Sequence, residues 1–278
     1  MEIIKEISKE VFENYVPAAH MPERNSSVFN RLQEQLAIAG QQLESVTGPD
    51  IDTFAAADES LKRDCLRFVC LRAFILSARS LDVVLTATGF GIVSTNSTAP
   101  ASKVRVDALV DDCRLRNAEA LDDIIRQLMR TEGWGVTAQA RQSVQCLFWS
   151  IRHMREHTTL RYTADNWQTA TGLALIADAF LRKTISTEYM DELMDKLRTD
   201  TLNEADTIIV DKCLRFTGSF ISNYEHTTQP NQLMLDAIVE QLETYSRYYP
   251  AYEQSETYRG RRATRYRNRK EDPTFFFM

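Results

Sequence analysis

The string His153-Met154-Arg155-Glu156-His157 has the H-x-x-E-H form in which two histidines hold zinc and the glutamate serves as the base of a metallopeptidase. Four residues apart on a helix, His153 and His157 share a face, as two ligands of one ion must. At about 100° per residue, however, Val144, Leu147, Phe148, Ile151 and Met154 fall on one stripe, and a buried stripe there turns both histidines towards solvent. The pair also sits at a predicted helix end, where imidazoles suit the negative pole of the helix dipole. Glu188, Glu192 and Glu225 are candidates for a third ligand, and no spacing singles one out. Nucleophilic catalysis has less to draw on, because no G-x-S-x-G is present and the remaining histidines, His20 and His226, lie in polar stretches. Gly89-Phe90-Gly91 is followed by Ile92 and Val93, whereas a phosphate cradle opens directly onto a helix N-terminus. The cysteines Cys65, Cys70, Cys113, Cys146 and Cys213 are odd in number and lack C-x-x-C spacing, which predicts reduced core thiols. The expectation is a protein that is not an enzyme and carries no metal or cofactor, with a zinc metallopeptidase as an alternative.

The elements that would position these residues are helices. In 278 residues the chain has 44% hydrophobic side chains but only 9 Gly and 7 Pro, a composition that favours an all-α architecture over a sandwich or barrel. Apolar positions at helical spacing predict a short helix over residues 2–15, then helices at about 28–46, 58–80, 100–129 (Asn117 being where it could bend) and 137–157. A second set follows at about 165–182, 188–198, 204–223 and 231–247. The helix over 58–80 is apolar on most of its circumference and should be central and buried. Cys65-Leu66-Arg67-Phe68 recurs as Cys213-Leu214-Arg215-Phe216, and Asp107-Ala108-Leu109-Val110 as Asp236-Ala237-Ile238-Val239. Two similar helical halves would explain both pairs, and chance reuse of helical words is the alternative.

Residues 81–110 interrupt the helical pattern. Val83, Val84 and Leu85, then Ile92 and Val93, flank Gly89-Phe90-Gly91, a short β-hairpin signature. The segment resembles part of a family of Bacteroidetes phage and prophage proteins, in which a D-x-V-x-T-x-T-G-F-G-x-V-S run precedes N-x-x-A-P-A-S-K-x-R-V. Asp82, Val84, Thr86, Thr88 to Gly91, Val93, Ser94, Asn96, Ala99 to Lys103, Arg105 and Val106 carry the match. That family is met among virion structural genes. The resemblance therefore implies a neck or head-to-tail connector (adaptor) subunit that forms a homo-oligomeric ring and touches portal and tail or neck proteins.

Charge is divided unevenly. Arg259, Arg261, Arg262, Arg265, Arg267, Arg269 and Lys270 follow Tyr258, against Glu271 and Asp272 alone. Setting those nine aside turns the net charge of -6 into -11 for residues 1–258. Arginines interleaved with Tyr258 and Tyr266 could contact phosphates and stack on bases. Phe275, Phe276 and Phe277 seek burial, which a partner groove would supply. Docking on a neighbouring subunit, nucleic-acid binding and a solvated tail are the three readings of this stretch.

The expected organisation is mainly α, a multi-helix bundle of two similar halves with one inserted β-hairpin. It comprises an N-terminal arm (1–25), a first half (26–160) with the insertion at about 81–99, a second half (161–250) and a basic, aromatic tail (251–278). MEIIKEISKE lacks the form of a signal peptide and no apolar run reaches the roughly 18 residues of a membrane span. The protein is expected to be made in the bacterial host cytoplasm and to reside in the virion, without membrane contact. Phe90, Arg259, Arg261, Arg262, Arg265, Tyr266, Arg267 and Phe275 to Phe277 are the candidate partner-binding residues, with a DNA contact of the tail and a nucleic-acid-binding module as the alternative.

Overall fold

A computed structural model describes residues 1–16, 26–81, 84–86, 89–91 and 102–263. The fold is mainly α, as expected. Helix α1 (Lys9–Tyr15) is preceded by a 3-10 turn, Ile3–Glu6, so the helix expected over residues 2–15 is broken. Ser8 causes the break: its Oγ accepts from the Val11 amide at 3.2 Å and caps α1, the conformation that serine side chains favour over helix interior. Ile3, Ile7, Phe12 and Val16 remain buried on both sides of it.

Helix α2 (Ser26–Thr47) buries Leu32, Leu36, Ala39 and Leu43 along one stripe and ends at Gly48, whose φ of 102° a side chain would strain. A short α3 (Ile51–Ala57) follows, which the sequence pattern did not reveal. Helix α4 (Glu59–Leu81) starts where Asp58 accepts the amides of Ser60 and Leu61. It packs between α2 and α5 (Lys103–Met129) and also meets α1 and α3. Leu61, Cys65, Val69, Cys70 and Ala73 are consequently buried around its circumference, as a central helix requires. Asn117 does not interrupt α5; its Nδ2 donates to the Phe68 carbonyl at 2.8 Å and ties α5 to α4.

Between α4 and α5, strands β1 (Val84–Thr86) and β2 (Gly89–Gly91) pair antiparallel, Leu85 opposite Phe90. Gly89-Phe90-Gly91 is therefore a strand, and not the turn that its glycines suggested; Thr86 faces Gly89, leaving 87–88 between them. Ile92 and Val93 lie outside the described residues.

The expected helix over 137–157 is two helices, α6 (Ala138–Ser143) and α7 (Ile151–His157), joined by residues 144–150. Thr137 caps α6 and Ser150 caps α7. Val144, Leu147, Phe148, Ile151 and Met154 are all buried, but on two directions of chain, not along one stripe. The second half comprises α8 (Ala164–Thr184), α9 (Thr187–Arg198), α10 (Glu204–Asn223) and α11 (Gln232–Thr244). A capping box of Asn203 and Asp206 opens α10, which packs against α7, α8 and α11. Helices α12 (Pro250–Gln254) and α13 (Glu256–Ala263) close the described chain. Tyr249 and Tyr252 meet Tyr189 of α9 edge-on at 5.7 and 6.3 Å, so both tyrosines belong to the core.

Two glycines set the distance between elements. A Cβ on Gly218 of α10 would lie 2.1 Å from the His157 carbonyl oxygen, and one on Gly135 would lie within 2.4 Å of the Arg198 oxygen. Only hydrogen fits at either contact.

Candidate functional site

Helix α7, which carries the H-x-x-E-H string, owes its start to two acceptors. Ser150 Oγ takes the His153 amide at 3.2 Å, and Asp122 Oδ2, from α5, takes the Arg152 amide at 3.4 Å. Burial pushes the Asp122 carboxyl up to about 7, against the pull of the Arg152 and Ile151 amides. With Ile151 and Met154 buried, His153 is not turned to solvent as expected. It is half-buried, its ring 6.0 Å from Phe148 and 5.8 Å from Trp149. The correction follows from the break at 144–150, which lets Phe148 and Trp149 fold beside the imidazole.

Burial, and next the neighbouring His157 at 6.3 Å, lowers the His153 imidazole to about 4. Its Nδ1 is buried with no hydrogen-bond partner among the described residues. Glu156 is engaged by Arg152 at 2.7 Å, and that bond holds its carboxyl below the usual range. Glu192 pairs with Lys196 at 2.5 Å. Among the described residues, no three of His, Cys, Asp and Glu are grouped so as to hold a metal ion. The five cysteines are all free and buried.

The candidate partner-binding residues are distributed as follows. Phe90 lies in β2. Arg259 and Arg262 are exposed on α13, Arg262 over the Tyr258 ring at 4.9 Å. Arg261 is turned inward: its guanidinium donates to the Tyr252 hydroxyl at 3.1 Å and to the Thr184 carbonyl, with Glu243 at 4.0 Å. Residues 251–263 of the expected tail form helix, and α12 and α13 dock through Tyr252 and Tyr258, core residues 5.3 Å apart. Arg265, Tyr266, Arg267, Phe275, Phe276 and Phe277 lie outside the described residues.

Two hollows were not foreseen. One of about 580 Å³ lies between α5, α6 and α8, lined by Asp122, Trp149 and Trp167 among others. Trp149 lies in the 144–150 connection and Trp167 on α8, and no motif in the sequence links them. The other, about 600 Å³, is lined by Glu204, Ala205, Ile208, Tyr245, Tyr248 and Tyr249 with Asn203 and Gln241. It forms because α11 stops at Thr244 and a 3-10 turn, Ser246–Tyr248, replaces its expected last turn. The run Tyr245-Ser246-Arg247-Tyr248-Tyr249-Pro250 was the available signal, since proline restricts the residue before it and ends regular helix.

Residues 23–144 match a protein family described as of unknown function (DUF6712). The match spans less than half of the chain, from ahead of α2 to the end of α6, and includes the segment between α4 and α5. No curated protein and no solved structure matches the chain. Among the described residues, no helix is long and apolar enough to cross a membrane.

Proposed function

We propose that this chain is a non-enzymatic structural subunit of a phage virion, a neck or head-to-tail connector that forms a homo-oligomeric ring between portal and tail. The observation that carries the proposal is the length of the connection between α4 and α5. These helices pack against each other, yet 21 residues, 82–102, join them, where packed helices need roughly 2–8. The equivalent connection from α10 to α11 has eight. Excess of this kind serves contacts that the core does not require. Its strands have three residues each, and an isolated two-stranded ribbon is marginal in water, so a partner surface would stabilise it. The phage assignment comes from the resemblance of residues 82–106.

In this proposal the two halves are related. Cys65 to Phe68 lie on α4 and Cys213 to Phe216 on α10, each helix packed against the long helix two before it and the one after. The hairpin would then be an insertion in the first half. A basic run over residues 264–270 together with exposed Arg259 and Arg262 supports a second reading, contact with DNA, which would weaken steeply with salt.

The test replaces residues 83–93 of the full chain with a short Gly-Ser linker. A folded helical monomer that no longer forms rings, by circular dichroism, native mass spectrometry and electron microscopy with portal, is the expected result. Global unfolding, or rings like those of the unaltered chain, would refute the proposed role of the hairpin.

A further inference from the structure

Ile208, Tyr245 and Tyr248 are 44%, 46% and 51% exposed and line one groove of about 600 Å³ with Ala205, Tyr249 and Glu204. Large apolar side chains brought together in a concave surface mark a contact site more than the same residues scattered singly. An engineered cavity of roughly 150 Å³ takes up one benzene ring, so the groove has room for several aromatic side chains. Glu204 lines it, and the described second half, residues 161–263, holds 16 acidic and 11 basic side chains, a net -5, whereas residues 1–160 amount to -3. Beyond α13 the chain offers the complement. Residues 264–270 carry Arg265, Arg267, Arg269 and Lys270 with no acid, and Phe275, Phe276 and Phe277 follow. The 11 residues between Ala263 and Phe275 span at most about 40 Å when extended, enough to cross to an adjacent molecule.

We infer that the Ile208–Tyr245–Tyr248 groove receives Phe275 to Phe277 of a second copy of this chain, with the arginine run lying on the acidic second half, an inference that rests on the proposed homo-oligomer. Each copy then gives one segment and receives another. Contacts of that head-to-tail kind close into a ring when the rotation between copies permits. The tyrosine rings supply edges and faces for the incoming phenylalanines and faces for arginine; Tyr248 already carries Arg247 at 4.8 Å.

The experiment mixes two full-length variants of different mass, Ile208→Cys and Phe276→Cys, and adds a short bis-maleimide. The native thiols are a silent background, since all five are buried and burial pushes Cys65, Cys70 and Cys146 up to about 12. The expected product is a cross-linked pair with one chain of each kind, absent when either variant is used alone and lost when the other chain also carries Tyr245→Asp and Tyr248→Asp. Assembly without that cross-link would overturn the groove assignment while leaving the proposed ring intact. A chain bearing both cysteines that links only within itself would overturn it too, because the segment then seats on its own copy. If the unaltered chain stays monomeric, alone and with portal, the ring fails and this contact fails with it.

Discussion

Changing Gly218 to Ala tests the packing of α10 on the end of α7. The added methyl would sit 2.1 Å from the His157 carbonyl oxygen, 2.6 Å from its Cβ and 2.7 Å from its carbonyl carbon. These are mostly backbone atoms, which cannot swing aside as a lysine tip would, so the helices must separate by about 1 Å or α7 must fray. Overpacking of this kind costs about 1–3 kcal/mol, with the upper part of that range expected for a backbone neighbour. Alanine returns about 0.8–1.0 kcal/mol in helix propensity. The net loss is about 1–2 kcal/mol, which at roughly 2–4 °C per kcal/mol for a large domain lowers Tm by about 2–8 °C. Gly172 of α8 is the control, because a Cβ there meets nothing within 4 Å and only the propensity gain remains. Thermal unfolding followed by far-UV circular dichroism should therefore show opposite signs for the two substitutions. If both raise Tm, the close approach of His157 to α10 is not what holds that contact.

Asp122→Asn should alter the pH dependence of stability. The native carboxyl holds its proton up to about 7, against an ordinary 3.8, so between those values the folded state binds a proton that the unfolded chain releases, and stability falls as pH rises. The variant should be more stable than wild type in urea at pH 8, with the gain shrinking towards pH 4; an unchanged slope would count against burial of the charged form. His153 acts in the opposite sense: held at about 4 instead of 6.5, it contributes stability that is lost as pH falls from 6.5 to 4. His153→Ala should cost about 1–2 kcal/mol through its lost packing on Phe148 and Trp149, whereas His157→Ala, which keeps the Cβ against Gly218, should stay within about 0.5 kcal/mol; equal effects would contradict the half-buried placement of His153. Trp134→Phe removes the buried bond from Nε1 to the Thr47 carbonyl at 2.7 Å and leaves that oxygen unpaired, for an expected loss of about 1–3 kcal/mol in chemical denaturation.

Long helices were legible because their stripes are regular. Leu32, Leu36, Ala39 and Leu43 repeat at the spacing that α2 buries, and α10 spans Glu204–Asn223, the residues expected from its pattern. What stayed hidden were changes of direction inside apolar runs. Val144 to Met154 supply core on both sides of a break, and periodicity cannot distinguish one helix from two when every apolar residue is buried either way. Ser8 and Ser150 are caps, but a serine inside a helical stripe reads equally as a solvated position. The site was less legible than the fold: the hollow at Tyr245 and Tyr248 exists because α11 ends early, and Arg261 is spent on Thr184 and Tyr252, partners distant in sequence that charge counting does not reveal.

The enclosure of α4 by α1, α2, α3 and α5 has a consequence for the order of events during synthesis. Nearly all of the partners of α4 have been made once Met129 has left the ribosome. Helical units with near-neighbour contacts fold in roughly microseconds to milliseconds, while the 149 residues after Met129 need about 7–30 s at 5–20 residues per second. The first core, with the strand pair between α4 and α5, therefore takes shape on the nascent chain. Residues 264–278 are made after that core, so the proposed ring contact through them would join copies whose first core has already folded.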